Sequence, residues 1–516
     1  MKEKRFSLNH AVFWPPFLIL LAAVVFSFIN ESGFAAGMNA VYNWVTDWFD
    51  WLYALSALVI VVLLAVIFCS KAGNIRFGGP DAKPKYTFFQ WFSMSLCGGI
   101  AIGIVFWGVA EPITHLASPA LGLTPFSNEA KMFSISTCYL HWSFTPYALY
   151  DLATIPIALA VYNYHQKMSI SSGLYFVMGD KCQGGIGKAV DAISLFALAG
   201  GIATSLGMGI MQISSGIHYV SGVKITPLLW AVVAVAIVIM FTASSAVGMD
   251  KGLKWLADQN VKLYAVVMLF VLIVGPTAFI LKFGVQGMGE FISTFFAKST
   301  YLGADSGEDW SRWWSIFYWA AWIAYAPVVG VFLTRLCYGR TVRQFLVVNL
   351  IGPALFGILW FTIFGGTAID MQLSGAFDLW GALQTDGTES AVFAFFGQLP
   401  LGTILIIVFL IVIFISFVTM ADSMTSVAAI LSSGDFGGEG EPPLTMKLVW
   451  GIIMGVLAYV MICFAGVDGT KMLAVLASFP LLFLMLVFIV SAIKGLYAPN
   501  TKFFKEKTKK DMKGEM

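Results

Sequence analysis

The stretch Trp313-Trp314-Ser315-Ile316-Phe317-Tyr318-Trp319-Ala320-Ala321-Trp322-Ile323-Ala324-Tyr325-Ala326-Pro327 gathers tryptophan and tyrosine into an apolar run that ends on a proline. No charge interrupts it, and the proline removes one ladder hydrogen bond from any helix it joins. Ring faces beside irregular backbone suit a buried site for a soft organic cation. An aromatic belt at a membrane interface would look similar, and the segment alone leaves both readings open.

The rest of the chain sets the context. Its 516 residues are 59% hydrophobic and 11% charged, with mean hydropathy +0.83. Soluble domains carry about 25% charged residues, so this is an integral membrane protein. The net charge of +2 gives no footing for nucleic acid. Cys69, Cys97, Cys138, Cys182, Cys337 and Cys463 are scattered without CxxC spacing, so neither a disulfide framework nor a metal cluster is expected. Residues Met1 to His10 and the apolar run after them imitate a secretory signal. Pro15-Pro16 and continued hydrophobicity toward Asn30 predict a retained first span instead.

Apolar runs of spanning length lie near 12–30, 51–69, 88–110, 133–161, 189–214, 227–248, 256–281, 311–336, 344–368, 399–431, 447–466 and 472–495. With the N-terminus inside, every Lys and Arg except Lys131, Lys224, Lys282, Lys298, Arg312 and Lys471 falls on the cytoplasmic side. That skew fits twelve spans with both termini cytoplasmic. The outside connections 111–132, 282–310 and 369–398 carry acidic residues and few bases, and Gly287 to Lys298 looks amphipathic. The lysine-rich tail from Thr501 to Met516 reads as a topology anchor, with attraction to anionic lipid as the weaker reading.

The third and eighth spans are expected to be irregular. The third carries Gly98, Gly99, Ala101 and Gly103 ahead of Phe106-Trp107-Gly108-Val109-Ala110-Glu111-Pro112, and the eighth carries Pro327. Glycines here allow backbone to approach backbone or ligand closely, or simply pack helices tightly. The two spans sit five apart and open blocks 3–7 and 8–12, and an odd repeat length inverts the second block. Paired broken helices point to a midplane site in a secondary transporter. The expected layout is 1–85 for the N-terminus and two peripheral spans, 86–282 for the first repeat, 283–310 for an outside connection, 311–496 for the second repeat, and 497–516 for the tail. Hydroxyls cluster at Thr204-Ser205 in span five and around Thr419 to Ser426 in span ten. They back-bond to their own helices or form an oxygen site for a hard cation.

The run Phe-Trp-Gly-x-x-Glu-Pro, the run Phe317-Tyr318-Trp319-Ala-x-Trp322, His141-Trp142, Gly365-Gly366-Thr367-Ala368 and Arg335-x-x-x-Gly339-Arg340-Thr341-x-Arg343 together resemble the betaine/choline/carnitine transporter family, from about Phe13 to Ile493. The resemblance implies an all-α twelve-span carrier with a five-plus-five inverted repeat, typically a homotrimer, importing small zwitterionic or cationic osmolytes. It implies an aromatic box of Trp142, Tyr147, Tyr150 and Trp322, with Trp319 and Tyr325 beside it and the motif Gly99-x-Ala101-x-Gly103 approaching the substrate. Many members carry tryptophan at Tyr147, Ala321 and Tyr325, and glycine at Ala101.

The same resemblance implies a sodium ion held by backbone at Cys97 and Ile100 and by Thr419, and a second site at Thr204 and Ser205. Met420 stands where a further hydroxyl is expected, and thioether is a poor ligand for a hard ion. Sodium-independent members place a surrogate arginine where this chain has Asn260. Asp151 and Asp422 are intramembrane carboxylates, read as coupling or gating groups or as structural ones. His141 reads as a helix-packing residue or a proton site. Arg335, Arg340 and Arg343 are expected to form a cytoplasmic charge network.

The expectation is therefore a transporter in the inner (plasma) membrane, without a cofactor and with Na+ as coupling ion. A sodium-independent exchanger and a transporter-like sensor are the alternatives. With no nucleophile–base pair in sight, an enzyme is not expected.

Overall fold

The computed structural model describes residues 8–99, 103–247, 252–304, 306–433 and 442–497, so Ile100, Ala101 and the tail from Thr501 lie outside the described residues. In hydrocarbon, each crossing segment must close its own backbone hydrogen bonds. Among the described residues the chain is accordingly helical and without a sheet.

The spans are His10–Ile29, Glu31–Cys69, the bent pair Phe88–Gly99 and Gly103–Ala117, Asn128–Tyr164, Gly185–Ser221, Pro227–Ser244, Lys254–Val274, Arg312–Cys337, Val342–Leu373, Gly402–Leu431, Leu444–Cys463 and Gly466–Tyr497. Counting the bent pair once gives twelve, in the order the apolar runs predict. Span 2 extends far beyond its apolar run, beginning at Glu31 where Asn30 caps Gly33 N–H. The last two spans divide at Gly466, whose φ of 55° suits glycine.

Burial sorts centre from periphery. The apolar windows of spans 4 and 8 are 89% and 94% buried, against 28% for span 1 and 22% for span 6. The former pair forms the middle of the bundle, and the latter lie at its periphery. Span 3 is bent by 63° between its two helices.

Span 8 differs from expectation: Phe317–Cys337 is a single helix that runs through Pro327, and its irregular part is the π-helical turn Arg312–Ile316. The second broken span is span 4, interrupted at Ser143. Two residues explain the break. Pro146 has no N–H to return to the Trp142 carbonyl. Gly357 of span 9 lets that carbonyl approach so closely that an added Cβ would lie 2.1 Å from it.

The amphipathic stretch forms a helix over Thr277–Ser299 and packs on span 4, with Gly287 against Ile135 and Tyr139. On the other side of the bundle, Arg340 donates to Tyr86 O at 2.6 Å and covers the Phe88 ring at 4.1 Å. Arg343 donates to Phe68 O and Ser70 O at 2.9 and 2.7 Å. These two guanidinium groups tie connections together through backbone carbonyls.

Candidate functional site

Helices packed this closely leave a small cavity of about 60 Å³ where spans 3, 4, 5 and 8 meet. Trp142, Tyr150, Trp322 and Tyr325 line it, and among the described residues its lining carries no charged side chain. Trp322 is the common wall: its ring lies 5.8 Å from Trp142, 5.7 Å from Tyr147 and 5.0 Å from Tyr150, all inclined rather than stacked. Inclined rings present several negative faces to one volume. Tyr150 Oη donates to Gly99 O at 3.4 Å, so the last turn before the span 3 break is held from span 4.

The glycines have a definite use. A Cβ at Gly103 would sit 2.5 Å from the Trp142 ring, and one at Gly201 would sit 3.1 Å from the Tyr325 ring. Bare backbone makes room for rings, and the rings then define the cavity.

Behind the rings lies a buried hub that the sequence reading did not include among site residues. The Glu111 carboxylate accepts from Trp142 Nε1 and Tyr318 Oη through Oε2, each at 2.6 Å. Its Oε1 accepts from His141 Nδ1 at 2.7 Å and His115 Nε2 at 3.3 Å. All these groups are buried. His141 Nε2 is in turn 2.9 Å from Ser315 Oγ, which fixes the ring.

Four donors on one carboxylate satisfy a buried charge, and the first consequence is to set the plane of Trp142. The ligating atoms of Glu111, His115 and His141 lie within 4.8 Å of one another, a spacing a metal ion also fits. Here the hydrogen bonds already occupy them. A signal for the hub exists in the sequence: Trp107, Glu111 and His115 recur every four residues and share a helical face.

The remaining anticipated residues separate. Tyr147 supports Trp322, and Trp319 packs on His141 at 5.8 Å; neither lines the cavity. Thr204 and Ser205 line it. Thr204 Oγ1 donates to Gly200 O and Thr470 O at 3.0 and 2.9 Å, and Ser205 Oγ accepts from Tyr325 Oη at 2.7 Å. Thr419 Oγ1 bonds back to Ile415 O and Ser416 O. Such hydroxyls keep lone pairs for a cation.

Cys97 does not line the cavity; its thiol donates to Ala257 O at 3.6 Å. Ser416, not anticipated, accepts from Asn260 Nδ2 at 2.9 Å and lies 2.6 Å from Tyr264 Oη, joining spans 7 and 10. Asp151 is buried, and among the described residues neither carboxyl oxygen has a hydrogen-bond partner. Asp422 pairs with Lys447 at 3.3 Å, both buried.

Twelve spans around an aromatic cavity have the architecture of a membrane transporter. A profile of the betaine/carnitine/choline transporter family matches residues 11–501, and the chain belongs to that family. It is 34% identical to the glycine betaine transporter OpuD of Bacillus subtilis, over 94% of each chain. It is 36% identical to a probable glycine betaine transporter of Desulfitobacterium hafniense, over 93% of this chain and 95% of that one. An ectoine/hydroxyectoine transporter of Virgibacillus pantothenticus is 31% identical, over 97% of this chain and 99% of the other.

Proposed function

We propose that this transporter imports a compound bearing a quaternary ammonium or sulfonium head, of the glycine betaine, choline, carnitine or dimethylsulfoniopropionate class. The observation that carries this is the uncharged box around Trp322. An onium head has no N–H to donate, so ring faces and exclusion of water must hold it, each face contributing about 0.5–2 kcal/mol. Cavity glycines and the break in span 3 serve the rest of the molecule with backbone polar groups. Relatives named as glycine betaine transporters support the same substrate class.

Coupling to Na+ is part of the proposal. The hydroxyl of Thr419 would serve one sodium ion and those of Thr204 and Ser205 a second, as hard oxygen donors. The chain would then alternate between two access states, with repeats 86–282 and 311–496 moving against each other. Both termini would be cytoplasmic, in the plasma membrane, and the carrier would assemble as a trimer.

One observation favours a second reading. Met208 and Met420 line the cavity beside those hydroxyls, and soft sulfur suits sodium poorly. A sodium-independent substrate exchanger would tolerate it. Uptake of labelled glycine betaine, choline and carnitine into proteoliposomes, with and without a sodium gradient, separates the two. Uptake indifferent to sodium but accelerated by internal substrate would replace symport with exchange; no uptake of any onium compound would end the box assignment.

A further inference from the structure

Cys138 stands apart from the other cysteines in the sequence, yet the fold gives it company. It lies one turn before His141 on the helix Asn128–Trp142 and is free and fully buried. Its thiol lies against the Glu111 carboxylate, close enough to share a hydrogen bond with it. Glu111 and His115 are likewise one turn apart, on the helix Gly103–Ala117. Two helices thus each bring a pair of ligand-type side chains to one buried point, at spacings of i, i+3 and i, i+4. Both spacings set the members of a pair on one helical face.

A carboxylate, two imidazoles and a thiol make a four-donor set that can close around a tetrahedral transition-metal ion. With bonds of about 2.0–2.1 Å, nitrogen and oxygen donors around such an ion stand about 3.3 Å apart. His115 Nε2 already lies 3.3 Å from Glu111 Oε1. His141 Nδ1, at 2.7 Å from the same oxygen, would move out by about 0.6 Å. The outer contacts suit metal ligands, whose far sides are held by hydrogen bonds. Ser315 Oγ, 2.9 Å from His141 Nε2, orients that ring. Trp142 and Tyr318 hold Oε2 of Glu111 and leave Oε1 to coordinate.

Protons and charge also balance. On binding, each imidazole passes its proton to its other ring nitrogen, and Cys138 releases one proton to solvent. Without an ion the hub holds the negative charge of Glu111, and among the described residues no lysine or arginine pairs with it. A divalent ion with one carboxylate and one thiolate is neutral, which costs least to bury. Thiolate and imidazole select zinc-type ions over sodium or magnesium.

We propose that Glu111, His115, Cys138 and His141 form a structural site for a divalent transition-metal ion of the zinc type, clamping the outer half of bent span 3 to the first half of broken span 4. The hydrogen-bonded hub is the metal-free form of the same residues. All four side chains are fully buried, so the ion enters as the chain folds.

Production of the untagged full chain in zinc-depleted, cobalt-supplemented medium tests this, by metal analysis and absorption spectroscopy. Wild type should carry one cobalt per chain, with the strong visible bands of tetrahedral Co2+ and a sulfur-to-cobalt charge-transfer band. Cys138→Ser should lose the charge-transfer band, and His115→Gln should lower the cobalt content about tenfold. Folded wild type with less than about a tenth of an equivalent overturns the proposal, as does a cobalt content and spectrum unchanged by both substitutions. A comparison on wild type alone covers variants that fail to fold. Chains produced with zinc should melt several degrees above chains produced under chelation, because the ion binds only the folded form. Identical melting contradicts a structural ion.

Discussion

Replacing Glu111 separates the hub's part in folding from its part in binding. Glutamine keeps one acceptor oxygen and adds two N–H donors. The only orientation that avoids opposing donors points that oxygen at Trp142 Nε1 and Tyr318 Oη and the amide nitrogen at the histidines, which can switch tautomer to accept. Four charge-assisted bonds of about 1.5–3 kcal/mol then become neutral ones of about 1 kcal/mol, a summed loss of roughly 2–8 kcal/mol in stability. Leucine removes the acceptor altogether, orphaning all four donors at about 1–3 kcal/mol each and releasing the Trp142 ring. Loss of that one face weakens substrate binding by about 0.5–2 kcal/mol, or about 2- to 30-fold in KM. Uptake into proteoliposomes and thermal unfolding of Glu111→Gln, Glu111→Leu, Trp142→Phe and the double variants measure this. Phenylalanine keeps a ring but has no N–H, so Glu111→Gln should cost less binding when Trp142 is already phenylalanine. Additive effects, or a folded Glu111→Leu variant with wild-type KM, refute the idea that the carboxylate aims Trp142.

Other perturbations probe neighbouring parts. Gly103→Ala places a methyl group against the Trp142 ring and should raise KM without changing the number of binding sites; a wild-type KM would mean the ring has another resting place. Lys447→Met leaves Asp422 buried without its ion-pair partner, which predicts a loss of about 3–5 kcal/mol, whereas Lys447→Met with Asp422→Leu recovers much of it in unfolding assays. Thr419→Ala should raise the sodium concentration for half-maximal uptake, and sodium-insensitive wild-type uptake would remove the basis for that expectation. Lys298, on the amphipathic helix, has its pKa held down to about 8 by burial, which Glu290 opposes. Its folded value lies below the unfolded 10.5, so the unfolded chain binds more protons from about pH 8 to 10.5 and stability rises across that window. Lys298→Met should therefore be stabilising near pH 7 and lose the advantage toward pH 10.

The spans were legible in the sequence because hydrocarbon imposes one rule on every crossing segment. The location of the second break was not. Pro327 looked like the breaker, yet its helix continues, while Pro146 became one because Gly357, distant in sequence, receives the freed Trp142 carbonyl. Proline shows that a hydrogen bond is missing; only the tertiary partner decides whether the helix parts there. Similarly, Trp142, Tyr150 and Trp322 carry their chemistry in their own rings and could be named from residue type and resemblance. Glu111 shows there only its shared helical face with Trp107 and His115, since its meaning depends on donors from two other helices converging on one carboxylate. Thr419 shows the opposite limit, a hydroxyl in the expected span whose proton returns to its own backbone.

The central claim is that the box around Trp322 recognises positive charge through ring faces and not merely bulk. Glycine betaine and 3,3-dimethylbutanoate share shape and carboxylate, but carbon replaces the onium nitrogen in the latter. Competition against labelled glycine betaine in proteoliposomes compares them directly. Loss of even two cation–ring contacts at about 0.7 kcal/mol each weakens binding tenfold, so the carbon isostere should compete at least tenfold less well, with the gap shrinking in Trp322→Ala. Equal competition by the two compounds would contradict the account.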